Sequence, residues 1–460
     1  MKTIIEPFRF KVVEPIPLLE REEREAALRE AHLNPFGLRS RSVTFDLLTD
    51  SGTSAMSAAQ WAAMMNADEA YAGSDSFFRF EQKVQELTGF AHIIPCHQGR
   101  AAERIIFGLL GRAGRVFIAN THFDTTRANV EASHATALDL PIDAAWMPED
   151  RHPFKGDLDP AKFEAAIAEH GADAIPMVIM TVTNNAVGGQ PVSLANLRQI
   201  AGICHAHKIP MWLDAARFAE NAFLISQREP GQIGRSPREI AREMFDLADG
   251  CMMSAKKDAL VNIGGFLAMR DTALAAEARN QLILTEGFPT YGGLAGRDLD
   301  AMAVGLDEIL DVDYLTYRIR SVAYFAEGLE TVGLHTVKPP GGHAVYIDAR
   351  RTLPHIPPEH YPGQALACAL YEAIGIRSVE VGSVMLGHRD PETGQEHLAP
   401  MDLVRLALPR RVYTQSHVDY MIEGAAEMMQ DAHLIKGLRI VDQAPFLRHF
   451  TAHFERIDPR

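Results

Sequence analysis

The chain has 460 residues, 47% of them apolar and 23% charged, with a formal net charge of -15. That length and composition suit a globular protein of roughly two or three domains with a large buried core. The acidic balance, with no block of lysine and arginine, argues against non-specific nucleic-acid binding. Cys96, Cys204, Cys251 and Cys368 lie far apart without a CxxC pair. That fits reduced thiols rather than a disulfide frame. The first residues are broken by Glu6, Arg9 and Lys11, so they lack a signal-peptide core. Apolar runs such as Ile175 to Val182 are strand-sized, well short of a membrane span. The expectation is a cytoplasmic protein that binds neither nucleic acid nor membrane.

From Ala91 to Arg270, strand-like and helix-like stretches alternate. In chain order the pattern predicts a strand at His92 to Pro95, a helix at Gly99 to Leu110 and a strand at Arg115 to Asn120. A helix at Pro160 to His170 and a buried strand at Ile175 to Thr183 follow. Ser193 to His207 reads as a helix with Ser193 as N-cap. Then come a strand at Met211 to Asp214, a helix at Pro237 to Leu247 and a strand at Cys251 to Ser254. Such alternation predicts an α/β fold with a mostly parallel sheet covered on both faces. Ligands on such sheets bind beyond the carboxyl ends of the strands.

After Gly293 the pattern changes to long helices at Asp298 to Leu310 and Asp313 to Val332. Strands are predicted at Ala344 to Asp348, Arg377 to Val381 and Leu403 to Leu408, with helices at Gln364 to Ile374 and His417 to Asp431 between and after them. This reads as a smaller α/β domain. The expected division is an N-terminal arm over 1–18, a small domain from 19–56 and 311–460, and a large cofactor domain over 57–310.

Chemistry concentrates in the larger region. Lys256 and Lys257 sit between two apolar runs. A solvated turn is the bland reading of a lysine pair. A lysine withdrawn from water, however, shifts toward the neutral amine, a nucleophile suited to a carbonyl cofactor. Cys96-His97-Gln98-Gly99-Arg100 falls where a strand meets a helix. Free N–H groups, a glycine and an arginine there suit a phosphate. Met211-Trp212-Leu213-Asp214 ends an apolar strand in a carboxylate that can hold a pyridinium nitrogen protonated. The bland reading of Asp214 is an ordinary helix cap. Thr183-Asn184-Asn185 offers an amide to a ring substituent, although loop asparagines commonly just make turns. GxGxxG after a strand, GxxxxGK[ST], HExxH and GxSxG are all missing, which argues against dinucleotide, P-loop, zinc-protease and serine-hydrolase sites. Cys204-His205-Ala206-His207 lies at a predicted helix end and cannot turn all its ligands one way.

These motifs, in this order, resemble the tryptophanase and tyrosine phenol-lyase family of pyridoxal-phosphate enzymes. The resemblance also covers Glu6 to Arg9, Asp46 to Thr53, Asp68 to Ser74, Gly188 to Ser193, Arg217 to Asn221, Ser254 to Asp258, Glu286 to Gly293 and Leu447 to Ala452. It implies the aspartate-aminotransferase type of fold, with pyridoxal 5'-phosphate as cofactor and potassium as a second one. By that resemblance Lys257 bonds the cofactor and moves the α-proton. Gln98, Gly99, Arg100, Ser254 and Lys256 surround the phosphate, Asp214 pairs with the pyridine nitrogen, and Asn185 and Arg217 act near the ring oxygen. Phe123 stacks on the ring. Arg405 clamps the substrate carboxylate, with Thr49, Ser51 and Phe36 on the substrate side. Tyr71 comes from a neighbouring subunit of a homotetramer with shared active sites. Glu69 and the carbonyls of Gly52 and Asn262 hold the potassium. Ala102 and Ala215 are small departures from the family pattern that remove no catalytic group.

Several stretches, such as Asn66 to Ser74, read closer to the phenol-lyase branch. The residues of the pocket do not. By the same resemblance, phenol-lyases carry arginine at position 381 and threonine at 124, and tend to carry phenylalanine at 449. This chain has Val381, Asp124 and His449. A departing phenolate wants a cationic donor, whereas an indole N–H wants an acceptor such as Asp124. The expected reaction is therefore β-elimination of L-tryptophan to indole, pyruvate and ammonium, with tyrosine phenol-lyase as the alternative. A non-catalytic binding protein on this fold would need a degraded site, and Lys257, Asp214 and Arg405 are all present.

Overall fold

The computed structural model describes residues 5–390, 393–445 and 447–457. The chain divides into two compact units. One comprises the residues up to Asp50, Trp146–Arg151 and the residues from Tyr317 onward; the other comprises Ser51–Ala145 and His152–Thr316. Each is described by itself.

The larger unit is built on seven strands: β1 (His92–Cys96), β2 (Val116–Ala119), β3 (Thr136–Asp139), β4 (Val178–Thr181), β5 (Met211–Asp214), β6 (Gly250–Ser254) and β7 (Gly265–Met269). Their order across the sheet is β1-β7-β6-β5-β4-β2-β3. Pairings from β6 to β3 are parallel, whereas β7 runs antiparallel to both β1 and β6. Every residue of β2 and β4 is buried, as expected when helices cover both faces. Helices Gly99–Leu110, Asp124–Ala132, Leu194–His207, Phe218–Arg228 and Pro237–Asp246 connect the strands. The core joins Ile94, Phe107, Phe117, Ile179, Trp212 and Leu267.

Sequence pattern located most of these elements and left out others. Helix Asp75–Thr88 buries Phe77, Phe80, Val84 and Leu87, which recur at helical spacing. Strand β7 begins at Gly265, where a Cβ would lie 2.7 Å from the carbonyl carbon of Gln98 and 2.8 Å from Met253 O. The four cysteines are free and buried. Among the described residues, no helix is long and apolar enough to cross a membrane.

In the other unit, strands Ala344–Asp348, Leu403–Ala407 and Val379–Val381 form an antiparallel sheet with Leu403–Ala407 in the centre. The single strand expected at Arg377 to Val381 is in fact two. Ile376–Arg377 pairs in parallel with Phe45–Asp46, and Val379–Val381 belongs to the three-stranded sheet. The chain changes partner at the buried Ser378. Arg377 Nε also donates to Asp46 Oδ1 at 3.0 Å, so an early segment is stitched to a late one. Arg410 and Asp50 form an ion pair at 2.9 Å with both side chains fully enclosed. Removing one partner of such a pair strands the other charge away from water.

Close backbone packing in the larger unit yields a stability prediction. Helix Gly296–Glu308 runs so near the chain after Lys257 that a Cβ at Gly305 would lie 1.8 Å from Ala259 O. Gly305→Ala is expected to destabilise the protein by about 2–3 kcal/mol through overpacking. Chemical denaturation of wild type and variant checks this.

Candidate functional site

The carboxyl edge of the central sheet gathers most of the predicted site residues of the larger unit. Strand β1 ends at Cys96 and helix Gly99–Leu110 begins three residues later, with Gln98 as N-cap and no side-chain cap bond. Gly99 sits hard against the end of β6: a Cβ there would fall 2.7 Å from Ser254 Cβ and 3.1 Å from its Cα. The neighbouring strand tightens the same corner, with Gly264 N bonded to His97 O at 2.8 Å and Ala255 N to Gly264 O at 3.1 Å. Burial, and then the Arg100 charge, lower the pKa of Lys256. Two cations thus gather at the positive end of an uncapped helix. An anion relieves that repulsion, and the dipole favours it.

Beyond β6 the chain turns through Lys256 and Lys257. The turn is fixed from below by Asp258, which is fully buried. Its Oδ2 accepts from Ala219 N at 2.9 Å, near the start of helix Phe218–Arg228, and its own N–H donates to Ala216 O at 3.3 Å. Gln60 supports the following residues by donating to Ala259 O at 3.3 Å and Leu260 O at 3.2 Å. Asp258 lies within a motif legible in the sequence, but no role for it or for Gln60 can be read there. Both are buried polar groups with backbone partners, visible only once the chain is folded.

Asp214 ends β5, and its Oδ1 accepts from Ala216 N at 3.3 Å. Burial raises its pKa, against the pull of the Lys257 and Arg217 charges and the Ala216 bond. Asp214, Lys257 and Arg217 therefore share one electrostatic neighbourhood. Arg217 is buried and its N–H donates to Val182 O at 3.1 Å. Asn185 is also buried, in the loop where Asn184 and Gln190 exchange backbone bonds of 2.8 and 3.1 Å.

Phe123 is the N-cap of helix Asp124–Ala132, and Asp124 is its first residue, with Oδ1 accepting from Thr125 N at 2.6 Å. The turn leading to them is stitched to the sheet by Asn120, which donates to Gly156 O and Thr181 O at 2.7 and 3.0 Å. The buried His122 places both its N–H and Nδ1 on Asp139 Oδ1, at 2.8 and 2.6 Å, and Arg127 reaches Asp139 Oδ2 at 2.6 Å. From the other side Thr126 Oγ1 donates to Glu103 Oε1 at 2.6 Å. Burial pushes the Glu103 carboxyl up to about 7, with Asp214 and Asp124 adding to the rise and the threonine bonds opposing it. None of Asn120, His122, Asp139 and Glu103 was singled out from sequence.

The cation residues are brought together only in part. A Cβ at Gly52, whose φ is +77°, would lie 2.9 Å from Asn262 O, so those two backbones are adjacent. Asn262 Nδ2 donates to Gly52 O at 3.1 Å. The Glu69 carboxylate is engaged elsewhere, accepting from Gly296 N at 2.8 Å and Arg297 N at 3.3 Å at the start of a helix. Ser51 and Gly52 open this unit, and Gly52 N donates to Lys256 O at 2.8 Å. Tyr71 is exposed, its ring 5.4 Å from Tyr291 and 5.9 Å from Phe288. Its hydroxyl pairs with Tyr291, which raises its pKa.

In the other unit, Arg405 lies in the central strand, buried, with Nη2 donating to Leu48 O at 3.1 Å beside Thr49. Val381 is buried in an apolar cluster with Tyr346, Val379 and Leu403, against which Phe36 packs. Phe36 also contacts His449, centroids 5.8 Å apart. Asn34 builds that contact: its Oδ1 accepts from Phe36 N at 3.0 Å and its Nδ2 donates to His449 O at 3.2 Å. Glu380 and Arg448, both buried, set the frame. Glu380 accepts from Val384 N at 3.1 Å and Met385 N at 3.0 Å, and burial with Asp402 nearby pushes its carboxyl up to about 8. Arg448 Nε donates to Val384 O at 3.0 Å, tying the His449 turn to the loop after Val381.

The β-eliminating lyase family model matches residues 46–424. A tryptophanase from Hyphomonas neptunium is 60% identical over 99% of this chain and all of its own length. A tyrosine phenol-lyase from Symbiobacterium is 50% identical, covering 98% of each chain. Among solved structures, serine palmitoyltransferase from Sphingomonas wittichii matches with a TM-score of 0.60 at 14% identity, over 90% of this chain and 97% of that one. Threonine aldolase from Leishmania major gives 0.57 at 15%, over 84% and 99%. Such distant likeness shows the fold, and the aspartate-aminotransferase type expected from sequence holds. The family match and the full-length relatives carry the rest: the chain belongs to the β-eliminating lyase family and is a pyridoxal-phosphate-dependent lyase.

Proposed function

We propose that the chain cleaves L-tryptophan by β-elimination, releasing indole, pyruvate and ammonium. Two residue identities carry this reading: an acidic Asp124, at the helix start beside Phe123 in the larger unit, and an uncharged Val381, buried in an apolar cluster of the other unit. Asp124 accepts the indole N–H. A phenolate leaving group would instead meet a valine, which offers no cation.

Pyridoxal 5'-phosphate fits the larger unit on its own observations. The Gly99 corner leaves no room for a Cβ, and Arg100 and Lys256 crowd an uncapped helix start. Gln98, Gly99, Arg100, Ser254 and Lys256 are assigned the phosphate, and Phe123 the ring face. Asp214 is assigned the pyridine nitrogen, with Asn185 and Arg217 near the ring oxygen. Bound there, the cofactor supplies an electron sink for the charge left when the α-proton departs. Lys257 takes that proton. Arg405 fixes the α-carboxylate as a fork, with Thr49 and Ser51 as lesser partners. Phe36, Val381 and His449 bound the ring of the substrate. Tyr71, exposed in the single chain, serves a neighbouring subunit of a homotetramer and protonates indole at the departing carbon. The enzyme is assigned to the cytoplasm.

Product analysis tests the substrate. Indole release from tryptophan is expected well above phenol release from tyrosine, and the reverse order overturns the assignment. Asp124→Ala should impair tryptophan turnover more than that of S-alkyl cysteine, whose leaving group needs no acceptor. Lys257→Ala should lose elimination by about 10²–10⁴-fold or more, as expected for a missing general base.

The phosphate assignment predicts that Gly99→Ala, by forcing the helix start away from Ser254, weakens cofactor binding by about tenfold or more. Absorbance titration of the cofactor against folded variant checks this.

Potassium is proposed at the carbonyls of Gly52 and Asn262 with Glu69, oxygen ligands suited to a hard cation. Activity in potassium should exceed that in sodium. Equal rates in potassium, sodium and a bulky organic cation refute the site.

A further inference from the structure

Arg448 is a buried cation that the reaction above does not use. It opens the short helix Arg448–Phe450, so His449 is its immediate neighbour. Its guanidinium reaches the loop that follows Val381. Nε donates to Val384 O at 3.0 Å and Nη2 to Ser383 O at 2.5 Å. Nη2 also pairs with Glu396, on the hairpin formed by His388–Arg389 and Glu396–His397, and Nη1 donates to Gln443 Oε1 at 3.1 Å. A buried guanidinium is costly unless its donors are met, and here all of its nitrogens have partners.

The same loop is held by its N–H groups as well. Ser383 N donates to Asp402 Oδ1 at 2.8 Å, and Val384 N and Met385 N donate to the Glu380 carboxyl at 3.1 and 3.0 Å. Carboxyls therefore take the N–H groups while the guanidinium takes the carbonyls. Close packing leaves the loop little freedom: a Cβ at Gly382 would lie 2.6 Å from Asp402 Cα, and one at Gly387 would lie 2.4 Å from Ser383 O. Met385 packs against the apolar cluster that contains Val381, as Phe36 does. Phe36 in turn meets His449 and Phe450, with centroids 5.8 and 4.9 Å apart. The His449 turn is thus joined to the Val381 wall twice, by apolar contact through Phe36 and by polar bonds through Arg448. Apolar contact is non-directional and permits sliding. The planar fork of a guanidinium fixes a geometry.

We propose that Arg448 is a positioning residue for substrate specificity: it locks the His449 turn to the loop after Val381, so that the two walls assigned to the substrate ring keep one spacing. The proposal rests on the site assigned above. Arg448 acts through His449 and moves no proton of the reaction. An aromatic side chain, which fills the space between the walls, feels the loss of that spacing. A small side chain that does not reach both walls does not.

The test uses the full chain, loaded with cofactor, as wild type, Arg448→Lys, Arg448→Met, His449→Ala and the double variant Arg448→Met/His449→Ala. Arg448→Met should raise KM for tryptophan by about tenfold, with a smaller change in kcat, and leave kcat/KM for S-methyl cysteine within about twofold of wild type. Binding of free indole, read by calorimetry, should weaken by about tenfold in the same variant. Cofactor affinity, read by absorbance titration, should not move. Arg448→Lys keeps the charge without the fork and should recover only part of the loss. In the double variant the cost of losing Arg448 should disappear, because that cost is transmitted by His449. Equal losses on tryptophan and S-methyl cysteine overturn the proposal, as do additive effects of Arg448→Met and His449→Ala. Glu396→Ala, which removes only the ion pair that orients Nη2, should show the same pattern at smaller amplitude; if the Arg448 variants fail to fold, a Glu396→Ala enzyme identical to wild type overturns the proposal. The cycle runs on whichever aromatic amino acid the wild type cleaves, so failure of the tryptophan assignment is seen separately.

Discussion

The larger unit depends on one close approach. Gly99 and Gly265 bring the backbone of the first helix start against the ends of β6 and β7 with no space for a side chain. That contact puts an uncapped helix N-terminus next to the Lys256–Lys257 turn. It also keeps Ser254 and Gly265 in register across the antiparallel pair. A looser corner would separate the positive helix end from the lysines, and with them the groups proposed to hold the phosphate.

Charge is then distributed around that corner in a consistent way. Cationic groups, Arg100 and Lys256, gather at the helix start. Carboxyls lie deeper, at Asp214 and Glu103, where burial raises both. Lys257 and Arg217 oppose the rise at Asp214 and so favour its ionised form. A phosphate-bearing ring with a basic nitrogen matches this polarity at both ends, which composition alone would never suggest in an acidic chain.

The other unit shows how a few buried polar groups shape an apolar surface. Val381 and Phe36 supply the hydrocarbon, while Asn34, Glu380 and Arg448 hold the backbone that presents it. The proposed reading places the choice between releasing a phenol and releasing an indole on single positions, 381 and 124. Glu380 and Arg448 bind main-chain atoms of the loop that follows Val381.

The local patterns were legible from sequence: alternating strands and helices, the glycine–arginine turn after β1, the acid ending β5, and the paired lysines after β6. Each rests on neighbouring residues, and resemblance to a known family then attached roles to them. Element pairing was not legible in that way. Strand β7 runs against its neighbours, and the stretch expected as one strand at Arg377 to Val381 splits between two sheets. Pairing is decided by residues far apart in the chain, here Phe45–Asp46 and Leu403–Ala407. The supporting polar groups were equally hidden. Glu103, Asp139, Asp258, Glu380 and Arg448 look like ordinary surface charges in a sequence. Only the folded chain, by removing water from them and supplying main-chain and hydroxyl partners, turns them into the groups that hold the site in place.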